Sequence, residues 1–229
     1  MKGIIMAAKK ENMELKKEEL KAKYGDTIVM GVDADIVRPH LKNIFTKKED
    51  AWVEREMDGY PFRSPLLSVI NANMKPMLRC EAELDPEFKQ VIMYVILRHQ
   101  DKVFCTHRLN GGDARLAGGY SIGTGGHTDD GESIYDAMYR ELAEEVGLKQ
   151  DQIMAYGVNG FILDESTAVN SVHLGIVVSM VITTDEIECK EKGKLEGEWV
   201  DYKKLEKLYK KNSLESWSMI AAKEVLGVG

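Results

Sequence analysis

Cysteine is scarce in this chain of 229 residues, and no cysteine stands close to another. Cys80, Cys105 and Cys189 form no Cys-x-x-Cys pair, and no His–Cys spacing of a zinc site occurs. These absences argue against a disulfide framework and against a cysteine-based metal site. They predict free thiols in a reducing, cytoplasmic compartment.

Long apolar runs and a surplus of positive charge are also missing. No segment approaches the roughly eighteen apolar residues of a membrane helix, and the apolar start at residues 1–8 is too short for a signal sequence. The formal net charge of -7 argues against a nucleic-acid binder, because phosphate backbones recruit an excess of Lys and Arg. It does not argue against small phosphorylated substrates, since a bound metal can supply positive charge.

What the chain does contain is a cluster of glutamates near the end of a predicted helix. Glu141, Glu144 and Glu145 are spaced i, i+3 and i+4, which places their carboxylates on one helix face. They repel one another and precede Gly147, a predicted stop at which the helix dipole disfavours negative charge. A bound cation would offset this repulsion, and hard oxygen ligands favour Mg²⁺ over zinc.

The same helix has the pattern of one that packs on a core. Ser133 and Asp136 are typical of an N-cap with an acidic partner, close to a capping box. An apolar stripe of residues four apart runs beside the acidic face: Ile134, Met138, Leu142 and Val146. Residues 118–126 predict a short strand that ends in a glycine-dense turn, where backbone groups can approach an ion or phosphate.

Elsewhere the pattern predicts an α/β chain with an amino-terminal α/β extension. Apolar, β-branched runs predict strands at residues 27–32, 90–97, 103–108, 153–163, 173–183 and 198–200. Helices are predicted at residues 9–23, 202–210 and 214–225, and a helical turn or two at 38–45. Prolines punctuate residues 61–86, so we place a boundary there, between an extension of residues 1–84 and a domain of residues 85–229.

Residues 126–148 match a known signature at every defined position. The fixed positions are Gly126, Glu132, Arg140, Glu141, Glu144, Glu145 and Gly147, with aliphatic residues at 142 and 148. This pattern resembles the Nudix box. A solvated acidic helix face would account for the glutamates alone, but it leaves Gly126, Arg140 and Gly147 without a role.

The resemblance covers residues 85–229 and implies both a fold and a reaction. The Nudix fold is a mixed β-sheet sandwiched between α-helices. Its enzymes use Mg²⁺ or Mn²⁺ to hydrolyse a pyrophosphate bond in a nucleoside diphosphate linked to another moiety. Residues 85–90, 115–116 and 121–127 are similar to a branch of predicted phosphoesterases, which brings no firm substrate with it.

Carried over by position, the resemblance implies roles for the residues of the box. Glu144 and Glu145 would be the principal metal ligands, with Glu141 either a third ligand or the base that activates water. The carbonyl of Gly125 would complete the ligand set. Arg140 would orient a neighbouring glutamate.

Further carboxylates are expected to act with the box. Glu132 is the expected salt-bridge partner of Arg140. In several relatives a later loop supplies a base or ligand, and Glu165, beside Asp164, is our candidate for a catalytic residue there. The alternative is an ordinary acidic loop. Weaker candidates follow in a later strand: Glu196 and Glu198.

Basic residues near the box are candidates for binding the substrate. Arg108 ends a predicted strand and could hold a phosphate bidentately or form a surface salt bridge. Arg115, in a glycine-rich loop, could do the same. His127 directly follows the first glycine of the box, so it either contacts substrate or is simply exposed. His173 either points into the cleft or is a hydrogen-bonded core histidine.

Departures from relatives limit the substrate. Many relatives have Pro-Gly-Gly where this chain has Thr124-Gly125-Gly126, and a proline expected of ADP-ribose-cleaving enzymes is missing near Leu163. The cysteine motifs of isopentenyl diphosphate isomerases are absent as well. We therefore expect a pyrophosphohydrolase for a small phosphorylated substrate such as a nucleotide derivative. The alternatives are a non-enzymatic nucleotide-metabolite sensor and a phosphate-ester hydrolase that uses the same metal site.

The extension and the assembly are predicted more coarsely. A homodimer is expected from the family resemblance alone. Residues 1–83 carry strand-like segments and the aromatic residues Trp52, Tyr60 and Phe62. We expect this extension to pack on the domain and to cover part of its cleft or a dimer face.

Overall fold

The structure, a computed structural model, describes residues 2–41, 43–47, 53–54, 65–109, 119–190 and 193–229. Its helices are α1 (Lys2–Tyr24), α2 (Ala34–Val37), α3 (Pro65–Asn73), α4 (Arg79–Ala82), α5 (Ile134–Val146), α6 (Tyr202–Lys210) and α7 (Ser216–Glu224). Its strands are β1 (Ile28–Asp33), β2 (Phe45–Lys47), β3 (Val53–Glu54), β4 (Lys75–Leu78), β5 (Phe88–His99), β6 (Lys102–Arg108), β7 (Tyr120–Ser121), β8 (Ile153–Ile162), β9 (His173–Ile182) and β10 (Leu195–Asp201).

These strands form one mixed sheet. Its main path runs β10-β6-β5-β9-β8-β2. Beside this path, β1 pairs with β5 and β4 pairs with β1, while β3 pairs with β8 and β7 pairs with β6. The central pair β5–β9 is parallel, with Gln90 opposite His173, and the other pairs are antiparallel. A parallel pair needs a long crossover connection, and the chain between β5 and β9 carries α5, the helix of the Nudix-like box.

Side chains of β5 alternate between two cores, as the two-residue period of a strand requires. Met93 and Val95 pack in the core that contains the apolar stripe of α5. Tyr94 and Ile96 pack in a second core with α6 and α7. Each of these side chains is almost fully buried, and each such burial stabilises the fold by about 1.5–3 kcal/mol. The predicted mixed sheet between helices is therefore confirmed.

One edge of β5 is shared between two strands and a loop. Its first residues pair with β1 and its last residues pair with β6. Between them, Ile92 lies opposite His127, and Val95 lies opposite Thr124. Residues 124–127 therefore fill the gap between β1 and β6, and the sheet sets the position of this glycine loop.

The amino-terminal extension takes part in the same sheet. Strand β1 pairs with β5 and β4, while β2 and β3 pair with β8. The expectation that the extension packs on the domain is confirmed by these backbone pairs. The boundary between residues 84 and 85 stays a prediction, as does the covering of a cleft or dimer face. The aromatic residues at positions 52, 60 and 62 lie outside the described residues.

Most of the predicted elements are present. The strands predicted at residues 90–97, 103–108, 153–163 and 173–183 correspond to β5, β6, β8 and β9. Helix α3 was missed, because Pro65 suggested a break; it is the first helical residue, where the absence of an amide N–H costs nothing. The three cysteines are free, as predicted, and all three are buried. Within the described residues, no helix has the length and apolar character needed to cross a membrane.

Candidate functional site

Helix α5 begins and ends where the sequence predicts. The hydroxyl of Ser133 accepts a hydrogen bond from the amide of Asp136 at 3.1 Å, which caps the helix. Gly147 adopts a left-handed conformation with a φ of 69°, and its amide donates to the carbonyl of Ala143. The glutamates of the box therefore lie on a helix with fixed ends, held against the core by its apolar stripe.

Arg140 connects the helix to the preceding loop. Its Nε and Nη2 donate to the two carboxylate oxygens of Glu132 at 2.7 and 2.9 Å, the bidentate pair that the resemblance implied. Its Nη1 donates to Glu141 at 2.7 Å and to Glu144 at 3.3 Å. Its Nη2 also donates to the carbonyl of His127 at 3.0 Å. One guanidinium thus orients two glutamates of the helix relative to the glycine loop.

Glu141 is less exposed to solvent than its neighbour Glu144. Its side chain is 16% exposed, against 62% for that of Glu144. Burial raises the pKa of Glu141 above 4.5, although Arg140 opposes the shift. The loop comes so close that a Cβ on Gly126 would lie 2.5 Å from the carboxyl carbon of Glu141. This approach gives the first glycine of the box its steric reason.

The remaining predicted ligands lie on the same side of the helix. The amide of Gly125 donates to Oε2 of Glu145 at 3.0 Å, so the loop backbone touches the helix directly. Among the described residues, the three box carboxylates do not all approach within 4.8 Å of one another. A shared ion would need these side chains to move closer together. The donors are hard oxygens, and this set fits Mg²⁺ or Mn²⁺.

The structure places Glu165 in an ion pair. Its Oε1 accepts hydrogen bonds from Lys89 at 2.6 Å and from Arg38 at 2.7 Å, and these cations lower the pKa of Glu165 below 4.5. The neighbouring Asp164 is buried and accepts from the side chain of Asn170 at 2.6 Å. A carboxylate with a lowered pKa is a weak base. The catalytic role of Glu165 stays a prediction, and its ion pair favours the alternative of an acidic loop.

Lys89 itself gave no signal in the sequence. It lies within an apolar strand, and its side chain is fully buried. Besides Glu165, its ammonium group contacts the carbonyl of Ser171. The burial of Lys89 can be explained only by its partners, and these lie in a loop about eighty residues further along the chain.

The other candidate residues have different surroundings. Arg108 lies 3.6 Å from Glu215 in a half-buried salt bridge, the alternative considered for it. Glu198 forms an ion pair with Lys204, and Glu196 of β10 lies opposite His107 of β6. Arg115 lies outside the described residues, in the segment 110–118. The roles of Arg108 and Arg115 in substrate binding stay predictions.

Two histidines meet beside the glycine loop. His127 and His173 are both half-buried, so His127 is not simply exposed. Their Nε2 atoms are 3.4 Å apart, and Nδ1 of His173 lies 2.7 Å from the carbonyl of Val169. Burial lowers the pKa of each imidazole. Glu83, at the end of α4, lies close to both, and it was assigned no role from the sequence.

Comparisons with known proteins agree with this arrangement. The chain is 34% identical to protein YmaB of Bacillus subtilis (strain 168) over 162 residues, which are 67% of this chain and 79% of YmaB. The crystal structure of Tm1382, named as a candidate Nudix hydrolase, is 26% identical, with a TM-score of 0.68, and covers 88% of this chain and 99% of its own. DR0079 from Deinococcus radiodurans is 15% identical with a TM-score of 0.51, covers 67% of this chain and 93% of its own, and shows the fold alone.

A model of the NUDIX domain family matches residues 88–222. This span contains the whole box, the sheet strands β5 to β10 and helices α5 and α6. Since it is more than half of the chain, this protein belongs to the Nudix family of hydrolases.

Proposed function

We propose that the chain hydrolyses, with Mg²⁺ or Mn²⁺, a pyrophosphate bond in a nucleoside diphosphate linked to another moiety. The observation that carries this proposal is that Arg140 contacts Glu141 and Glu144 while Glu145 contacts the backbone of the glycine loop. Divalent ions held there would neutralise the phosphate oxygens and lower the pKa of a bound water. The proposed metal ligands are Glu144, Glu145 and the carbonyl of Gly125, with Glu141 either a third ligand or the base that activates water.

Glu141 is the side chain best suited to take the proton from the attacking water. Burial raises its pKa, so it holds a proton more readily than a solvated carboxylate does. Arg140 donates to Oε1 of Glu141, which leaves Oε2 to receive the proton, and both oxygens lie close to Gly126. Arg140 therefore acts as a positioning residue, because its guanidinium holds the base toward the loop.

Substrate binding is proposed for residues around the loop. His127 lies next to Gly126 and could contact a substrate that spans the helix and the loop. Arg108 would have to leave Glu215, which lies 3.6 Å away, to bind a phosphate. Arg115 remains a candidate from the sequence.

The test is metal-dependent turnover across a substrate panel. Nucleoside triphosphates, ADP-ribose, NADH, diadenosine polyphosphates and nucleotide sugars would be assayed for phosphate products with Mg²⁺ and with Mn²⁺. We expect one class to be cleaved and Glu144→Gln to lower kcat about 100-fold or more, because several kcal/mol of charge stabilisation is lost. The matched control is Glu206→Gln, which removes an exposed helix glutamate paired with Lys210 and should leave kcat unchanged.

The result also separates the alternatives. Metal-dependent binding of one nucleotide without any turnover would contradict the hydrolytic proposal and indicate a sensor. Cleavage of phosphate monoesters, with pyrophosphates untouched, would indicate a phosphate-ester hydrolase. A dimer is proposed from the family resemblance, and sedimentation velocity of the full chain tests it independently.

A further inference from the structure

Three potential metal ligands meet outside the acidic face of α5. Glu83 follows α4 in the extension, His127 belongs to the glycine loop, and His173 begins β9. One ligand atom from each lies within 4.8 Å of the other two. Among the described residues, no other three His, Cys, Asp or Glu side chains bring ligand atoms this close together. The proposed Mg²⁺ ligands do not belong to it.

The distance between the two imidazoles matches shared coordination better than a hydrogen bond. The Nε2 atoms are 3.4 Å apart, whereas hydrogen bonds from nitrogen donors span roughly 2.7–3.2 Å. Two nitrogens at about 2.0–2.1 Å from one tetrahedral ion lie about 3.4 Å from each other. The rings also meet at 63°, so neither stacks on the other.

The hydrogen bond of His173 directs its lone pair toward His127. Nδ1 of His173 lies 2.7 Å from the carbonyl oxygen of Val169, and a carbonyl can only accept. Nδ1 therefore carries the proton, which leaves a lone pair on Nε2. The same contact, from the non-ligating ring nitrogen to a backbone carbonyl, orients histidines at metal sites.

Glu83 supplies the negative charge, and solvent can reach it. An open cavity of about 400 Å³ is lined in part by Glu83, Leu84 and Ser171, so solvent approaches Glu83 from this side. Arg79 lies 3.6 Å from the Glu83 carboxylate, and its buried Nε has no hydrogen-bond partner. This cation opposes a metal ion, but it can also orient the carboxylate.

We propose that Glu83, His127 and His173 bind one Zn²⁺ or a similar transition-metal ion, separate from the Mg²⁺ site of α5. Two imidazoles and one carboxylate are a ligand set that Zn²⁺ accepts, with water in the fourth position. The ion would join the extension to the glycine loop. The carbonyl of His127 accepts a hydrogen bond from Arg140, so the bound ion would also hold the glycine loop against the box. The proposal does not depend on the proposed reaction.

The first experiment needs no variant. Full-length protein purified without chelator would be loaded with Zn²⁺ in the presence of excess Mg²⁺, and its metal content and zinc X-ray absorption would be measured. We expect about one Zn²⁺ per chain, with the multiple-scattering signature of two imidazole ligands. No bound zinc, or a shell of oxygen ligands alone, would overturn the proposal.

The second experiment assigns the ligands by calorimetric Zn²⁺ titration. Glu83→Gln and His173→Asn should each weaken Zn²⁺ binding by more than about tenfold. His99→Asn is the matched control, because Nδ1 of His99 also lies beside a backbone carbonyl, at 3.0 Å from that of Ile182, yet has no place in the cluster. Glu144→Gln should retain the zinc. Unchanged Zn²⁺ affinity in both cluster variants would refute the site, and thermal unfolding of each identifies any that fails to fold.

Discussion

Gly126 and Glu141 pack so closely that a single methyl group between them would move one or the other. The Cβ of an alanine at position 126 would lie 2.5 Å from the carboxyl carbon of Glu141. Glu141 is held from its other side by Arg140, so it has little room to retreat. The glycine therefore decides where the proposed base stands relative to the loop.

We predict that Gly126→Ala lowers the free energy of unfolding by about 1–3 kcal/mol and weakens Mg²⁺ binding, because overpacking displaces the carboxylate. Thermal unfolding and calorimetric Mg²⁺ titration measure the two effects. Gly131→Ala is the control. Gly131 has a φ of 80° and open space around it, so that variant should lose about 1–2 kcal/mol through backbone strain without any loss of Mg²⁺ affinity.

A substitution of Glu165 distinguishes a role in stability from a role in catalysis. We predict that Glu165→Gln destabilises the fold by about 1–3 kcal/mol at neutral pH, because Lys89 is buried and loses its charged partner. The pKa of Glu165 is lowered from 4.5, so this contribution is present above pH 4.5 and is lost as the pH falls through the lowered pKa. Urea unfolding of both proteins across this range measures it.

The control for Glu165 is Glu198→Gln, which removes a comparably exposed carboxylate whose partner Lys204 is itself exposed. We expect that change to cost less than about 1 kcal/mol. A large fall in kcat for Glu165→Gln, without a matching loss of stability, would instead establish the catalytic role that the sequence suggested.

Residue roles were readable from the sequence only where the partners are close along the chain. The resemblance to the Nudix box implied that Arg140 contacts Glu132 and a neighbouring glutamate, and the structure shows both contacts. The partner of His173 lies 46 residues away, and Glu83 belongs to a segment without a clear pattern. Contacts between distant elements need the register of the sheet, which no local pattern contains.

At the scale of elements, α5 carries the proposed ligands and depends on its cap. We predict that Ser133→Ala lowers the free energy of unfolding by about 1 kcal/mol and weakens Mg²⁺ binding, because the first turn frays and Glu132 with it. Chemical denaturation and Mg²⁺ titration measure the two quantities.

The control is Asp201→Ala, which removes the equivalent cap of α6, where the Asp201 carboxylate accepts from the amide of Lys204 at 2.6 Å. It should cost a similar amount of stability and leave Mg²⁺ affinity unchanged. Equal weakening of Mg²⁺ binding in both variants would show that the effect is global rather than local to α5.

Long, regular elements were the predictable ones. The apolar runs of β8 and β9 and the cap-to-glycine span of α5 have strong periodic signals. The helices α3 and α4 were not predicted, because α4 has four residues and α3 follows a run of prolines. Both helices contact elements distant in the sequence, among them β1, and no local pattern contains such contacts.

At the scale of the whole molecule, the extension is part of the sheet. We predict that a chain starting at residue 85 fails to fold cooperatively, because removal of β1 exposes the backbone edge at the start of β5. Circular dichroism during thermal unfolding and size-exclusion chromatography measure this. Co-expression with residues 1–84 should restore a folded complex. A monomeric, cooperatively folding fragment would instead support the predicted boundary as that of an independent domain.

The joining of the extension to the sheet could not be read from the sequence. Residues 27–32 were predicted as a strand, yet their pairing with Phe88–His99 is a contact between segments about sixty residues apart. The prolines scattered over residues 61–86 suggested a domain boundary near residues 83–86. Instead, α4 and β5 follow one another with few residues between them, so no flexible connection separates the two parts.

The placement of the glycine loop along β5 affects how easily the loop can open locally. The amides of Val95 and Thr124 each donate to the other's carbonyl at 2.9 Å, so a loop residue and a core strand residue share one closed ring of hydrogen bonds. Neither amide can meet solvent unless the other is released. Their hydrogen–deuterium exchange should therefore show equal protection, at the level of global unfolding. The loop beside the proposed catalytic centre would then be among the last parts of the molecule to open.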